Sequence, residues 1–399
     1  MRLQLVARCS FVGTVGALAL ATAFRQARAQ SSDGPHGSNV TAHLSAGYGQ
    51  YADSDHVFVE TPTLDGTVSN PVAGWSVGAS YLADVISAAS VDIVSTASQN
   101  WKEVRQEGRI RASYQRQTFG VEANGGVSDE PDYLSWSAGG AVTQDLLDKN
   151  VTWKLGYAHG RDIAGRTGTP FSVFSEVLDR NAVNASLTLV LSRTTIAAFI
   201  GDAVFEDGNQ AKPYRYIPLF VPGTYVPRGA PIDLVNSLRV SARPLERLPD
   251  SRQRYALTGR LAHRYRRATL RLDERLYVDS WLLKATTSDV RYFFDVSPRL
   301  ELGPHARIHA QTSVNFWQRA YVFGPGAQYP ALRTGDRELG PLVNVTGGWT
   351  VRLGLGKSTA PTSWVLSFDL NATSTQYLDD LYVTRRISGL GEVTVETDL

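Results

Sequence analysis

The residues best placed to do chemistry are arginines and carboxylates spaced two apart or at other even intervals. Arg105, Glu107, Arg109 and Arg111 form one such row, Arg254, Arg260 and Arg264 a second, and Arg271, Asp273, Arg275, Tyr277 and Asp279 a third. In extended chain, alternate side chains share a face, so each row projects from one side of its strand. Guanidinium forks that meet carboxylates on neighbouring strands form bidentate pairs, which would stiffen an interior. Forks left unmatched in a bore would favour anions. Both readings stay open at this point.

Other constellations are weaker. Asp84 to Ser98 is an imperfect repeat of eight that places Asp84 and Asp92 in equivalent positions among serines and alanines. Those are the donor types calcium takes, but the spacing matches no calcium loop, and a packed, inward loop over 84–98 is expected instead. His305 and His309 stand four apart, which on a strand separates them by about 13 Å and prevents chelation. The run Gly354 to Thr359 looks like the end of a phosphate-binding loop, yet Val351 occupies the place of its first glycine, so it reads as a hairpin turn. No Gly-x-Ser-x-Gly elbow occurs. The expectation is a protein that is no enzyme and needs no cofactor or metal.

These residues sit in elements of an unusual kind. Alternation with period two recurs in Arg109 to Gln115, Val151 to Tyr157, Val183 to Leu191, Tyr255 to Leu261, Ala268 to Leu276, Ala306 to Phe316, Val343 to Leu355 and Trp364 to Ala372. Several runs approach the roughly 9 to 11 residues a tilted strand needs to cross a bilayer. Short turn clusters such as Asp148-Lys149-Asn150 separate them, so neighbouring strands are antiparallel. Aromatic residues near strand ends, among them Trp75, Trp136, Trp153, Trp281, Trp317, Tyr321, Trp349, Trp364 and Tyr382, would form two interfacial girdles. The fold class this predicts is all-β: an antiparallel transmembrane β-barrel of 14 to 16 strands with both ends of the chain on the periplasmic side.

Composition agrees with export and with no role in binding nucleic acid. The chain has 399 residues, 40 basic and 38 acidic. Arg2 and Arg8, the apolar run Phe11 to Phe24 and Ala27-Arg28-Ala29 have the layout of a signal peptide over 1–29, cleaved near Ala29. With it go four arginines, leaving a slight acidic excess rather than a basic footprint. It also removes Cys9, the only cysteine, so thiolate metal sites and cysteine nucleophiles are excluded. No other apolar stretch approaches the roughly 18 residues of a membrane helix. Residues 30–399 are read as one domain.

A second interruption of the alternation, 207–250, holds seven prolines with Tyr214, Arg215 and Tyr216, and is expected to be a long functional loop or a plug. Motifs in and around the two interruptions carry a resemblance. The Asp84 to Ser98 repeat followed by Arg105, Lys212-Pro213-Tyr214-Arg215, Glu246 to Arg252 (ERLPDSR), Arg271 to Trp281 (RLDERLYVDSW) and Gln311 to Tyr321 (QTSVNFWQRAY) together resemble the bacterial outer-membrane-type family catalogued as domain of unknown function 3570. After Asp279 that family shows a second acid and then Trp-Gly, where this chain has Ser280, Trp281 and Leu282. The resemblance implies a barrel in the outer membrane of a Gram-negative bacterium.

The function expected is therefore that of a porin-like channel, passive transporter or scaffold with an Arg/Asp/Glu-lined lumen. Its partners would be outer-membrane lipid and lipopolysaccharide, the barrel-assembly machinery and, in the bore, a small anionic solute. A secreted, soluble β-rich binding protein and a barrel-borne hydrolase are the alternatives.

Overall fold

A computed structural model describes residues 39–88, 101–212, 215–324, 326, 328–355 and 363–399. The expected signal peptide, Asp92 and Tyr214 lie outside the described residues. The barrel strands are β1 (Thr41–Asp53), β2 (Val57–Asn70), β3 (Trp75–Ala88), β4 (Trp101–Arg116), β5 (Phe119–Glu130), β6 (Tyr133–Leu146), β7 (Val151–Ala164), β8 (Glu176–Ser192) and β9 (Thr195–Gly208). They continue as β11 (Ser251–Arg264), β12 (Ala268–Asp279), β13 (Lys284–Ser297), β14 (Leu300–Gln311), β16 (Leu342–Leu355), β17 (Ser363–Tyr377) and β18 (Arg385–Asp398). Two-residue strands β10 (Leu219–Phe220) and β15 (Tyr321–Val322) and the short helix α1 (Ile232–Leu238) lie in loops.

The 16 long strands form one closed antiparallel barrel in which β1 pairs with β18. Closure removes the sheet edges that water alone could otherwise satisfy, as a span through hydrocarbon requires. No helix among the described residues is long and apolar enough to cross a membrane.

Alternation sorts the two faces of the wall. On β4 the exposed Val104, Ile110 and Tyr114 point outward, while Arg105, Glu107, Arg109 and Arg111 point into the bore. On β12 Leu272, Leu276 and Val278 are outside, and Arg271, Asp273, Arg275, Tyr277 and Asp279 inside. An outer apolar face over an ionic interior is the arrangement that lipid selects, because arginine at the midplane of the lipid face costs about 2 to 4 kcal/mol.

The two ends differ. At the end holding Thr41 and Asp398, the described turns are short: 71–74, 117–118, 147–150, 193–194, 265–267 and 298–299. At the other end lie the long connections 209–250 and 312–341. Outer-membrane barrels place short turns in the periplasm and long loops outside.

Three expectations are corrected. The interruption expected to begin at Asp84 does not: Asp84 to Ala88 completes β3. The proline-rich loop is 209–250, because the β9 ladder runs through Asp207 and Gly208. The run read as a strand from Ala306 to Phe316 stops at Gln311, after which the chain leaves the wall for a second long loop.

Candidate functional site: a capped, charge-lined bore

The two long loops interlock at the long-loop mouth. Leu219 and Phe220 of β10 pair in parallel with Tyr321 and Val322 of β15, and Arg247 bridges Arg333. Phe220, Val226, Ala230 and Val235 pack with Leu381 from the β17–β18 loop. A second cluster joins Leu248, Val314 and Leu339 to Trp281 and Leu283 of the β12–β13 turn, with Tyr277 of the barrel's inner face against it. Trp281, Trp317, Tyr321 and Tyr382 are thus cap residues, not members of a lipid girdle. Outward aromatics such as Tyr114, Phe119, Trp153 and Trp364 near one end, and Tyr81, Trp136, Tyr157 and Tyr255 toward the other, do face lipid.

Ionic groups fasten this cap. Arg215 reaches Asp336 at 2.8 Å and Glu246 at 3.2 Å, with Lys212 3.5 Å from Asp336. Thr334 Oγ1 donates to Glu246 at 2.6 Å. Burial by itself would raise the Asp336 pKa, but Arg215 and then Lys212 outweigh it and hold this carboxyl well below the usual carboxylate range. Burial also pushes the Tyr321 hydroxyl up to about 12, and that hydroxyl donates to the Phe316 carbonyl at 3.0 Å.

The cap is bolted to the wall on both sides of the β1–β18 seam. Arg337, only 3% exposed, lies 2.6 Å from Asp55 in the β1–β2 turn and 4.9 Å over the Tyr377 ring of β17. Glu338 accepts from Tyr377 at 2.8 Å and lies 3.3 Å from Arg386 of β18. Gln311 at the end of β14 donates to the Glu338 and Gly340 carbonyls.

Asp279, expected simply as a lumen residue, organises the β12–β13 turn. Its Oδ1 accepts the N–H groups of Trp281 and Leu283, both at 3.0 Å, while Oδ2 meets Arg252 at 2.5 Å and Tyr277 at 3.1 Å. Trp281 lies beneath the Arg252 guanidinium at 4.2 Å. Leu282 takes φ +67°, the left-handed region that favours glycine.

The remaining residues singled out in the sequence separate into matched and unmatched charges. Arg105 contacts Asp84 at 3.3 Å, Ser128 and Glu107, and Arg109 shares Glu107. Arg111 makes a bidentate pair with Asp65, both bonds 2.8 Å. Arg254 pairs with Glu206, Arg260 with Asp273, Arg264 with Asp295, and Arg275 with Asp202 two strands away. Arg215 is in the ionic cluster of the cap, while Tyr216 is exposed and bridges Leu245.

Arg271 and Arg307 form no ion pair among the described residues. Arg271 stands directly opposite Arg291 on β13, and Arg307 opposite Asp289. That carboxylate is already engaged, by Arg291 at 3.2 Å and His305 at 2.8 Å. Three neighbouring strands thus carry a row of inward arginines with more positive charge than its acids neutralise. Sequence reading missed Arg291 and Arg307 because β13 and β14 interleave them with acids and histidines.

The model of the family described as "Protein of unknown function (DUF3570)" matches residues 97–371. The chain belongs to this family. No curated protein matches it. Among solved structures it is similar to a bacterial polysaccharide outer membrane secretin, at 11% identity over 90% of this chain and 97% of that one, with a TM-score of 0.47. It is also similar to OprD of Pseudomonas aeruginosa (8% identity, 90% and 95% coverage, TM-score 0.41) and to the outer membrane protein opdK of the same organism (7%, 90% and 99%, 0.42). DUF3570 membership brings no assigned chemistry, so the role rests on the bore itself.

Proposed function

We propose that this DUF3570 barrel is an outer-membrane channel through which small anionic solutes pass passively, with its long-loop mouth narrowed by the interlocked loops 209–250 and 312–341. The observation that carries the reading is the inner-face row Arg271, Arg291 and Arg307, in which two guanidiniums have no carboxylate of their own among the described residues. Unneutralised arginines lining a bore favour entry of anions and disfavour cations. Passage needs only weak attraction, and catalysis has no part in this reading.

The test is the reversal potential of single barrels in a planar bilayer under a salt gradient. It should be measured for the full chain and for a chain lacking residues 212–231 of the cap. The shortened chain is expected to conduct more, and current through either is expected to be anion-biased. Replacing Arg271→Gln and Arg307→Gln together should move the reversal potential toward cations. Cation preference in both starting chains, or no current through either, would overturn the proposal.

A further inference from the structure

A second unneutralised arginine cluster lies outside the bore, on the rim at the short-turn end. The β8–β9 turn carries Arg193, the β11–β12 turn carries Arg266 and Arg267, and the β13–β14 turn carries Arg299. All four are exposed, and none forms an ion pair among the described residues.

The turns are neighbours in space as well as in order. Arg264 N–H donates to the Thr194 carbonyl at 2.7 Å, and Asp295 N–H to the Arg267 carbonyl at 2.9 Å. The chain therefore ties each turn directly to the next hairpin. Asp295, whose N–H meets the Arg267 carbonyl, has its carboxylate taken by Arg264. The corresponding turns under β2 to β7 carry less charge: 71–74 reads Pro-Val-Ala-Gly, 117–118 reads Gln-Thr with the single exposed Arg116 before it, and in 147–150 Lys149 adjoins Asp148.

Beside the arginines, the rings of Tyr265 in the β11–β12 turn and of Tyr292 on the lipid face of β13 are exposed. Aromatic rings seated at a headgroup boundary with guanidiniums beside them form a surface that recognises phosphate esters at a membrane face. We infer that the rim formed by Arg193, Arg266, Arg267 and Arg299 holds anionic phospholipid headgroups of the leaflet that borders the short-turn end. The lipid is favoured over an acidic protein because the arginines are continuous with the aromatic, lipid-facing wall rather than with a recessed surface. This site is independent of the arginine row in the bore.

The experiment uses the full folded barrel in nanodiscs made from equal amounts of phosphatidylglycerol and phosphatidylcholine, with native mass spectrometry of the lipids that stay bound. Phosphatidylglycerol should be retained in about fivefold excess, as expected when each basic contact contributes to headgroup binding. The excess should shrink at high salt. Arg193→Gln, Arg266→Gln, Arg267→Gln and Arg299→Gln together should bring the ratio to that of the disc. The same four positions changed to lysine should keep the excess, and Arg271→Gln in the bore should leave it intact. Heat-modifiable gel migration identifies which variants are folded. Equal retention of the two lipids by the unaltered protein would overturn the assignment, as would an excess that survives the fourfold glutamine change.

Discussion

Arginines in the cap and arginines in the middle of the bore have opposite surroundings. Arg337 is buried between Asp55, Glu338 and the Tyr377 ring, and Arg215 lies between Asp336 and Glu246. Arg307 is exposed in the interior and Arg271 is half-buried opposite Arg291, and among the described residues neither has a carboxylate of its own. A buried guanidinium must be matched or it is strongly destabilising, so the cap spends its charges on architecture. A solvated one needs no partner and keeps its field available to whatever enters. The same residue type thus fastens one region and equips the other.

The largest expected effect comes from removing a fastener. Arg337→Met leaves Asp55 buried without its cation, and breaking such a pair costs about 3 to 5 kcal/mol. The cap should then open far more often, read as faster proteolytic cleavage within 209–250 while the barrel remains heat-modifiable. An unchanged cleavage rate would remove the distinction between the two sets of arginines.

The next effect is set by pH. Asp336 titrates lower in the folded cap than in an open chain, so its contribution is fully present above its unfolded value of about 3.9 and is lost only as pH falls below that. Protection of the cap, read as amide hydrogen exchange over 209–250 corrected for the intrinsic pH dependence of exchange, should therefore show no Asp336-dependent change from neutrality to about pH 5 and decline under stronger acid. Asp336→Asn should weaken protection throughout and abolish that acid-dependent step. The smallest effect belongs to the bore. Arg307→Gln should change resistance to denaturant by no more than about 0.5 kcal/mol, since it forfeits no buried contact. A larger loss would show that this arginine is structural after all.

Much of the barrel was legible because a closed wall with lipid on one side imposes a two-residue period on every strand. That period alone puts the alternate charged residues of Arg105 to Arg111 and of Arg271 to Asp279 on one face, the inward one. It failed where a segment is buried by other loops instead of by lipid and bore. Val314 and Phe316 continue an alternating look past Gln311, but they serve the core of the cap. Asp336-Arg337-Glu338 reads as an ordinary solvated turn, and only long-range contacts with Lys212, Arg215, Asp55 and Arg386 make it the centre of the cap. The concentration of Trp317, Tyr321 and Tyr329 with Pro330 was the available sign that 312–341 is a folded unit. Nor can periodicity tell a matched charge from an unmatched one, because matching depends on register between strands far apart in sequence. Arg275 and Asp202 meet only because β9, β11 and β12 lie side by side.

The straddling of the β1–β18 seam by Arg337 and Glu338 has a consequence for biogenesis. Asp55 comes from the first hairpin to be made, Tyr377 and Arg386 from the last. An incompletely zipped cylinder holds these groups apart and leaves Arg337 and Glu338 without their partners across the seam. The clasp snaps shut only on a finished ring, so the cap doubles as a seal that certifies the final strand has been joined to the first.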